Sequence, residues 1–112
     1  MEKLLKYREI VTNLVRGRVQ REATYLPPRH SKYIADTERD IYIHLYYEWK
    51  DYQYHYGVLV HLDIINEKIW LQRNITEDEI IDELKAAGVP DEDIVLGTVH
   101  PAMREATPYA LG

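Results

Sequence analysis

The stretch Ile41-Tyr42-Ile43-His44-Leu45-Tyr46-Tyr47-Glu48-Trp49 decides the fold. Ile41, Ile43, Leu45, Tyr47 and Trp49 alternate with Tyr42, His44, Tyr46 and Glu48. A period of two is that of a pleated strand, whose successive side chains point to opposite faces. Lys50 to Gln53 turns the chain, and Tyr54 to Ile65 reads as a second strand. Its period of two puts Tyr56, Val58, Val60, Leu62 and Ile64 on one face and Gly57, Leu59, His61, Asp63 and Ile65 on the other. Asn66-Glu67 is a two-residue turn candidate, since Asn tolerates positive φ. Lys68 to Gln72 makes a third strand, so the middle of the chain is an antiparallel meander.

Working outward, residues 2 to about 18 form an amphipathic helix: Leu4, Tyr7, Val11, Leu14, Val15 and Arg18 keep helical spacing, and Leu5 and Ile10 widen the stripe. Gly17 weakens its end. Val19 to Lys32 reads as a loop or extended connector with room for a short edge strand, because Pro27-Pro28 forbids a helix. Asp36-Thr37-Glu38-Arg39-Asp40 is a charged turn. Thr76-Glu77-Asp78-Glu79 has the form of a capping box ahead of Ile80, Ile81, Leu84 and Ala87, and Gly88, Val89 and Pro90 end that helix. Ile94-Val95-Leu96 is a short apolar strand, and Pro101 opens a helical turn to Ala106. The expected fold is α+β over one domain, 1–112. It has an N-terminal helix, an antiparallel meander of three to five strands, a capped helix on one face and a short C-terminal helical turn.

With 112 residues the chain is long enough for one core without staples. It has no cysteine, so disulfides, thiol nucleophiles and thiolate metal sites are excluded. That usage and an N-terminus without signal-peptide character fit the cytoplasm, and no stretch is apolar enough to span a membrane. A net charge of −5 argues against non-specific binding to a phosphate backbone. The local exception is Arg16, Arg18 and Arg21, with Arg29, His30 and Lys32 beyond; it reads first as a solvated helix end. Ten tyrosines and two tryptophans stand beside no phenylalanine, a bias toward side chains that work at interfaces.

Chemistry-bearing sets are sparse. His44 and His61, with Glu48 and Asp63, would form a two-histidine, one-carboxylate metal site if they shared a sheet face; hydrogen-bonded imidazoles on a half-buried polar face are the plainer reading. Asp40 with Glu48-Trp49-Lys50 traces a metal-dependent nuclease pattern, but one short enough to arise by chance. The single serine, Ser31, lies in no nucleophile elbow, and no glycine-rich phosphate loop is present.

Asp36-Thr37-Glu38-Arg39-Asp40-Ile41-Tyr42, Gly57 to Ile64, Lys68-Ile69-Trp70-Leu71-Gln72, Thr76-Glu77, Ala87-Gly88-Val89-Pro90, Asp93 to Gly97, and His100-Pro101 with Arg104 and Thr107 occur in that order. Together with the opening Lys3-Leu4, Lys6-Tyr7-Arg8, they resemble the fdxN-element excision controlling factor family, called XisI-like. The chain departs from the family where Glu48 replaces a frequent Gly before Trp49, and where Asn66-Glu67 replaces a frequent Asp-Gly or Asn-Gly turn. The resemblance implies a cyanobacterial-type accessory protein. It would act with a nuclease-like companion, XisH, in developmentally controlled, heterocyst-type excision of a DNA element by a separate recombinase. It implies no catalytic residues and no cofactor.

The functional expectation is therefore a non-catalytic partner protein. It would bind the XisH-like protein, or the recombinase, through the tyrosine-rich sheet face and the acidic turn, and would meet DNA only indirectly. Asp36, Thr37, Arg39, Asp40, Tyr42, His61, Trp70, Gln72, His100 and Arg104 are its candidate family-motif and partner-binding residues. The rival readings are an antitoxin-like inhibitor of a companion nuclease, a small metal-dependent nuclease, and a DNA adaptor using Arg16, Arg18 and Arg21. A homodimer through the edge that an open sheet leaves unpaired is a further expectation.

Overall fold

The structure, a computed structural model, describes residues 2–22, 24, 29–74 and 77–112. Pro27-Pro28 and the Thr76 cap of the proposed capping box lie outside them. Helix α1 runs Glu2–Glu22, and strands β1 to β4 are His30–Asp36, Ile41–Lys50, Gln53–Ile65 and Lys68–Asn74. Helix α2, Glu77–Ala86, then leads through a 3-10 turn at Asp91–Asp93 to β5, Ile94–Leu96, and a second 3-10 turn closes Pro101–Ala106. The five strands form one sheet in chain order. The expected α+β layout holds. One joint differs from a meander: β5 runs parallel to β4, with Ile69, Trp70 and Leu71 beside Ile94, Val95 and Leu96. The intervening α2 makes that crossover possible.

Both helices cover the same face of the sheet. Tyr7, Val11, Leu14 and Val15 of α1 and Ile80, Ile81 and Leu84 of α2 pack on Tyr42, Val60, Leu62, Ile64, Ile69 and Leu71. Full burial of each such aliphatic side chain is worth about 1.5–3 kcal/mol. Ala87 is exposed rather than part of this face. The end of α2 matches expectation: Gly88 has φ 101, its amide bonds the Lys85 carbonyl, and the Val89 amide bonds the Leu84 carbonyl. Buried Val89 thus folds back on the last turn. Helix α1 continues past Gly17 to Glu22, beyond the expected end. Its extra turn is held from outside, by Arg18 on Glu79 and Glu83 and by Arg29 on Glu22.

The segment from His30 is a full seven-residue strand, longer than the short edge expected there. The Asn66-Glu67 turn is as read, with both residues at positive φ, 52 and 59. Strand β3 departs from a simple alternation. His44 pairs with Val60 but Leu45 pairs with Val58, so Leu59 is an extra, unpaired residue. That bulge switches the strand's facing halfway along. Val60, Leu62 and Ile64 point into the core, whereas Tyr54, Tyr56 and Val58 pair with Trp49, Tyr47 and Leu45 on the face without helices.

Candidate interaction surface

The charged turn between β1 and β2 is built as a brace. Asp36 Oδ1 accepts from the Glu38 and Arg39 amides at 3.0 Å each, and Oδ2 accepts from Arg39 Nη1 at 2.8 Å. The Arg39 bond first, then these amides, hold the Asp36 carboxyl below its ordinary range. Thr37 and Arg39 are exposed, and Asp40 is buried at φ 55. Asp40 receives Arg8 Nε at 2.8 Å and Nη2 at 3.1 Å, and the Tyr42 hydroxyl at 3.1 Å. Burial, then the Asp40 bond, pushes the Tyr42 phenol up to about 12. Asp40 and Tyr42 thus clamp α1 to the sheet.

A second group of the motif residues gathers on the helix-free face. His61 Nε2 lies 2.8 Å from Asp63 Oδ1, and Gln72 Nε2 donates to Asp63 Oδ2 at 3.2 Å. Gln72 reaches Asp63 because it is the extra residue of a bulge in β4, between Leu71 paired to Leu62 and Arg73 paired to His61. Trp70 carries the buried Arg104 guanidinium 5.0 Å above its ring. Arg104 also donates to the Val99 carbonyl at 3.0 Å and the Leu111 carbonyl at 3.1 Å, pinning the C-terminal segment. His100 caps the Pro101–Ala106 turn, its Nδ1 accepting from the Ala102 amide at 3.1 Å. Every one of these side chains except Thr37 and the outward tip of Arg39 is engaged within the fold.

The exposed chemistry lies elsewhere, at the far end of the β2–β3 hairpin. Trp49, Tyr52, Tyr54 and Tyr56 are 71%, 98%, 51% and 65% exposed. Trp49 and Tyr54 pair across strands with ring centroids 5.1 Å apart, and His30 stacks on Tyr47 at 4.8 Å, beside Tyr56. All four side chains are more than half exposed, which concentrates aromatic surface at this end of the hairpin. Ile43, Leu45 and Val58 continue the face toward the charged turn. The turn and the aromatic tip stand at opposite ends of the ten-residue β2, about 25–30 Å apart. Trp49, Tyr52, Tyr54 and Tyr56 were not among the individual residues singled out from the sequence; the signal there was the excess of tyrosine and the tyrosine-rich sheet face.

Three of the rival sets come apart. His44 is buried on the core face, opposite Val60, whereas His61 is opposite Ile43 on the helix-free face, so the two histidines cannot share a metal. Among the described residues, no cluster of three or more His, Cys, Asp or Glu side chains could hold a metal ion. The nuclease trace is split along β2: Asp40 is held by Arg8 at one end, and Glu48 lies 3.6 Å from Arg29 at the other. The basic cluster is largely neutralised. Arg18 pairs with Glu79 and Glu83, Arg21 lies 3.5 Å from Glu83, Arg29 pairs with Glu22, and Arg16 sits over the Tyr33 ring at 5.5 Å. No described helix is long and apolar enough to cross a membrane.

The chain is thus a small one-sided α+β protein, with two helices on one face of its sheet and motif residues bracing the rim of the other. The XisI protein family model matches residues 1–111, and the chain belongs to that family. It is similar to the fdxN element excision controlling factor XisI of Anabaena variabilis, with 30% identity and a TM-score of 0.85 over 98% of this chain and 99% of that one. It is also similar to a XisI-like protein of Anabaena variabilis, with 36% identity and a TM-score of 0.88 over 97% and 99% of the two chains. No curated protein matches the sequence.

Proposed function

We propose that this chain is a non-catalytic controlling factor for excision of an fdxN-type DNA element by a site-specific recombinase. It acts by holding an XisH-like, nuclease-related partner on its helix-free sheet face. Similarity to a protein described as an fdxN element excision controlling factor supports the process. The observation that carries the mechanism is the aromatic tip of the β2–β3 hairpin, where Trp49, Tyr54 and Tyr56 are exposed side by side. Aromatic anchors ringed by polar groups supply most of the binding energy in protein interfaces. Exposing this much aromatic surface costs solubility unless something covers it.

The motif residues take the role of scaffold in this reading. Arg8, Asp40 and Tyr42 tie α1 to the charged-turn end of the sheet, and Asp63, Gln72, Trp70 and Arg104 brace the helix-free face at that same end, where Asp63 pairs with Ile41. A rigid sheet spares its anchors the backbone share of the ordering cost on binding. DNA is engaged through the partner, consistent with a net charge of −5. The test is titration of the XisH-like protein into this chain by calorimetry. A saturable complex supports the reading, and its absence at micromolar concentrations with both proteins folded removes it. Expressing the companion with and without this chain then separates assistance from antitoxin-like restraint.

A further inference from the structure

The two edges of the sheet are unlike. At one edge, β5 is three residues long and fully buried, and the Ile94 carbonyl accepts the Ala110 amide of the C-terminal segment at 2.8 Å. At the other, β1 pairs with β2 over all seven of its residues, His30 to Asp36, without a bulge. It contains no proline. Ile34 and Ala35, on opposite faces of this strand, are both exposed, Ile34 to 48%. A regular edge strand with exposed apolar residues on both faces is a template for another strand.

Among the described residues, Lys32 is the side chain on this strand of the kind that commonly guards an edge. It guards only against strands that place a cation or an apolar residue opposite it. Asp36 lies four residues on, on the same face of the strand as Lys32 and Ile34. We propose that two copies of this chain pair antiparallel through β1 about a two-fold axis at Ile34. Lys32 of each copy then faces Asp36 of the other, joining the Arg39 already paired with that carboxylate, while Ile34 faces Ile34 and Tyr33 faces Ala35. The charges select this register over its neighbours. An axis at Lys32 sets two lysines against each other, which is destabilising. An axis at Tyr33 leaves each Lys32 opposite Ile34. The contact is isologous, so it closes at two copies and does not propagate. Both sets of helices fall on the same side, and the two helix-free faces join into one ten-stranded surface with an aromatic tip from each copy.

The chain has no cysteine, so a single introduced thiol reports the register. Directly opposed Cα atoms in an antiparallel pair are about 4.5–5.5 Å apart, within the span a disulfide bridges. Ile34→Cys therefore forms a disulfide-linked dimer under mild oxidation. Lys32→Cys does not, because the two thiols lie four residues out of register. Sedimentation of the unmodified chain gives a concentration-dependent dimer, and Lys32→Glu raises its dissociation constant about tenfold or more. All of these positions are exposed at the strand edge, so the fold survives substitution. A chain that sediments as a monomer at every concentration overturns the proposal. So does cross-linking of Lys32→Cys as readily as Ile34→Cys, or a dimer indifferent to Lys32→Glu.

Discussion

The guanidinium of Arg8 grips the carboxylate of Asp40 with two bonds, Nε to Oδ1 at 2.8 Å and Nη2 to Oδ2 at 3.1 Å. Arg8 stands in the second turn of α1, and Asp40 closes the turn before β2, 32 residues away. The backbone of Asp40 adds a further tie, its carbonyl accepting the Ile64 amide at 3.0 Å. One residue thus joins the helix, the turn, β2 and β3. Its left-handed backbone, φ 55, is one that Asp tolerates better than most side chains.

Asp40→Ala is expected to destabilise the fold by about 2–4 kcal/mol, since it orphans the Tyr42 hydroxyl and leaves a β-carbon in a strained conformation. Asp40→Asn keeps the shape and the tolerance of positive φ, and loses less than half as much. Urea unfolding of the two variants checks the order. Equal losses would show that the carboxylate charge, rather than its geometry, carries the tie.

His44 gives a dependence on pH. It is buried among the core strands with no partner for Nε2 among the described residues. Burial lowers its pKa first; Glu22 opposes, and Arg29 and Arg18 lower it further. The folded ring is neutral while the unfolded chain takes up a proton near the ordinary 6.5. Stability from this group is complete above about 6.5 and is lost as pH falls from there toward the depressed folded value. Each full unit of pH in that window costs at most about 1.4 kcal/mol. His44→Leu should leave stability within about 1 kcal/mol of the original at pH 7. It should also flatten the decline between pH 7 and pH 5 in urea midpoints. An unchanged slope would locate the acid sensitivity elsewhere.

Gly97 ends β5 where the chain presses on β4. A β-carbon there would lie 2.9 Å from the Leu71 carbonyl oxygen and against the Gln72 carboxamide, and the Gly97 amide is bonded to that same carbonyl at 2.9 Å. Neither backbone group can retreat without breaking the bond. Gly97→Ala is expected to cost about 1–3 kcal/mol and to lower Tm accordingly, with loss of the Gln72–Asp63 contact. A neutral substitution would mean that β5 can shift away from β4.

The Asn66-Glu67 turn stores a removable strain. Glu67 holds φ 59, in a turn type that favours glycine at this position. Glu67→Gly should raise stability by about 0.5–1 kcal/mol in thermal unfolding, relief of strain exceeding the added freedom of the unfolded chain. A fall in Tm would show that contacts of the Glu67 side chain outweigh the backbone term.

The elements legible in the sequence were those whose signal is periodic or local. The alternation from Ile41 to Trp49, the Gly88 stop after α2 and the Pro101 start all appear where they were read. The errors come from non-local physics. Counting in twos placed Tyr56 and Val58 with Val60 and Leu62, and the single unpaired residue Leu59 reverses that. Gly17 suggested a helix end, but ion pairs from α2 and Arg29 carry α1 on to Glu22. The parallel pairing of β5 depends on where α2 returns the chain, which three apolar residues do not encode. Family motifs marked the braces at the charged-turn end of the sheet, and the aromatic tip lies at the opposite end, outside the motifs.

The central claim is that the aromatic tip of the β2–β3 hairpin holds the partner. The direct measurement is calorimetric titration of the XisH-like protein into the original chain and into a variant carrying Trp49→Ser, Tyr54→Ser and Tyr56→Ser together, with circular dichroism showing both folded. All three residues are exposed, so the core is untouched. The account predicts a saturable complex for the original chain and a loss of affinity of about a hundredfold or more for the variant. Equal affinity for the two chains would contradict it.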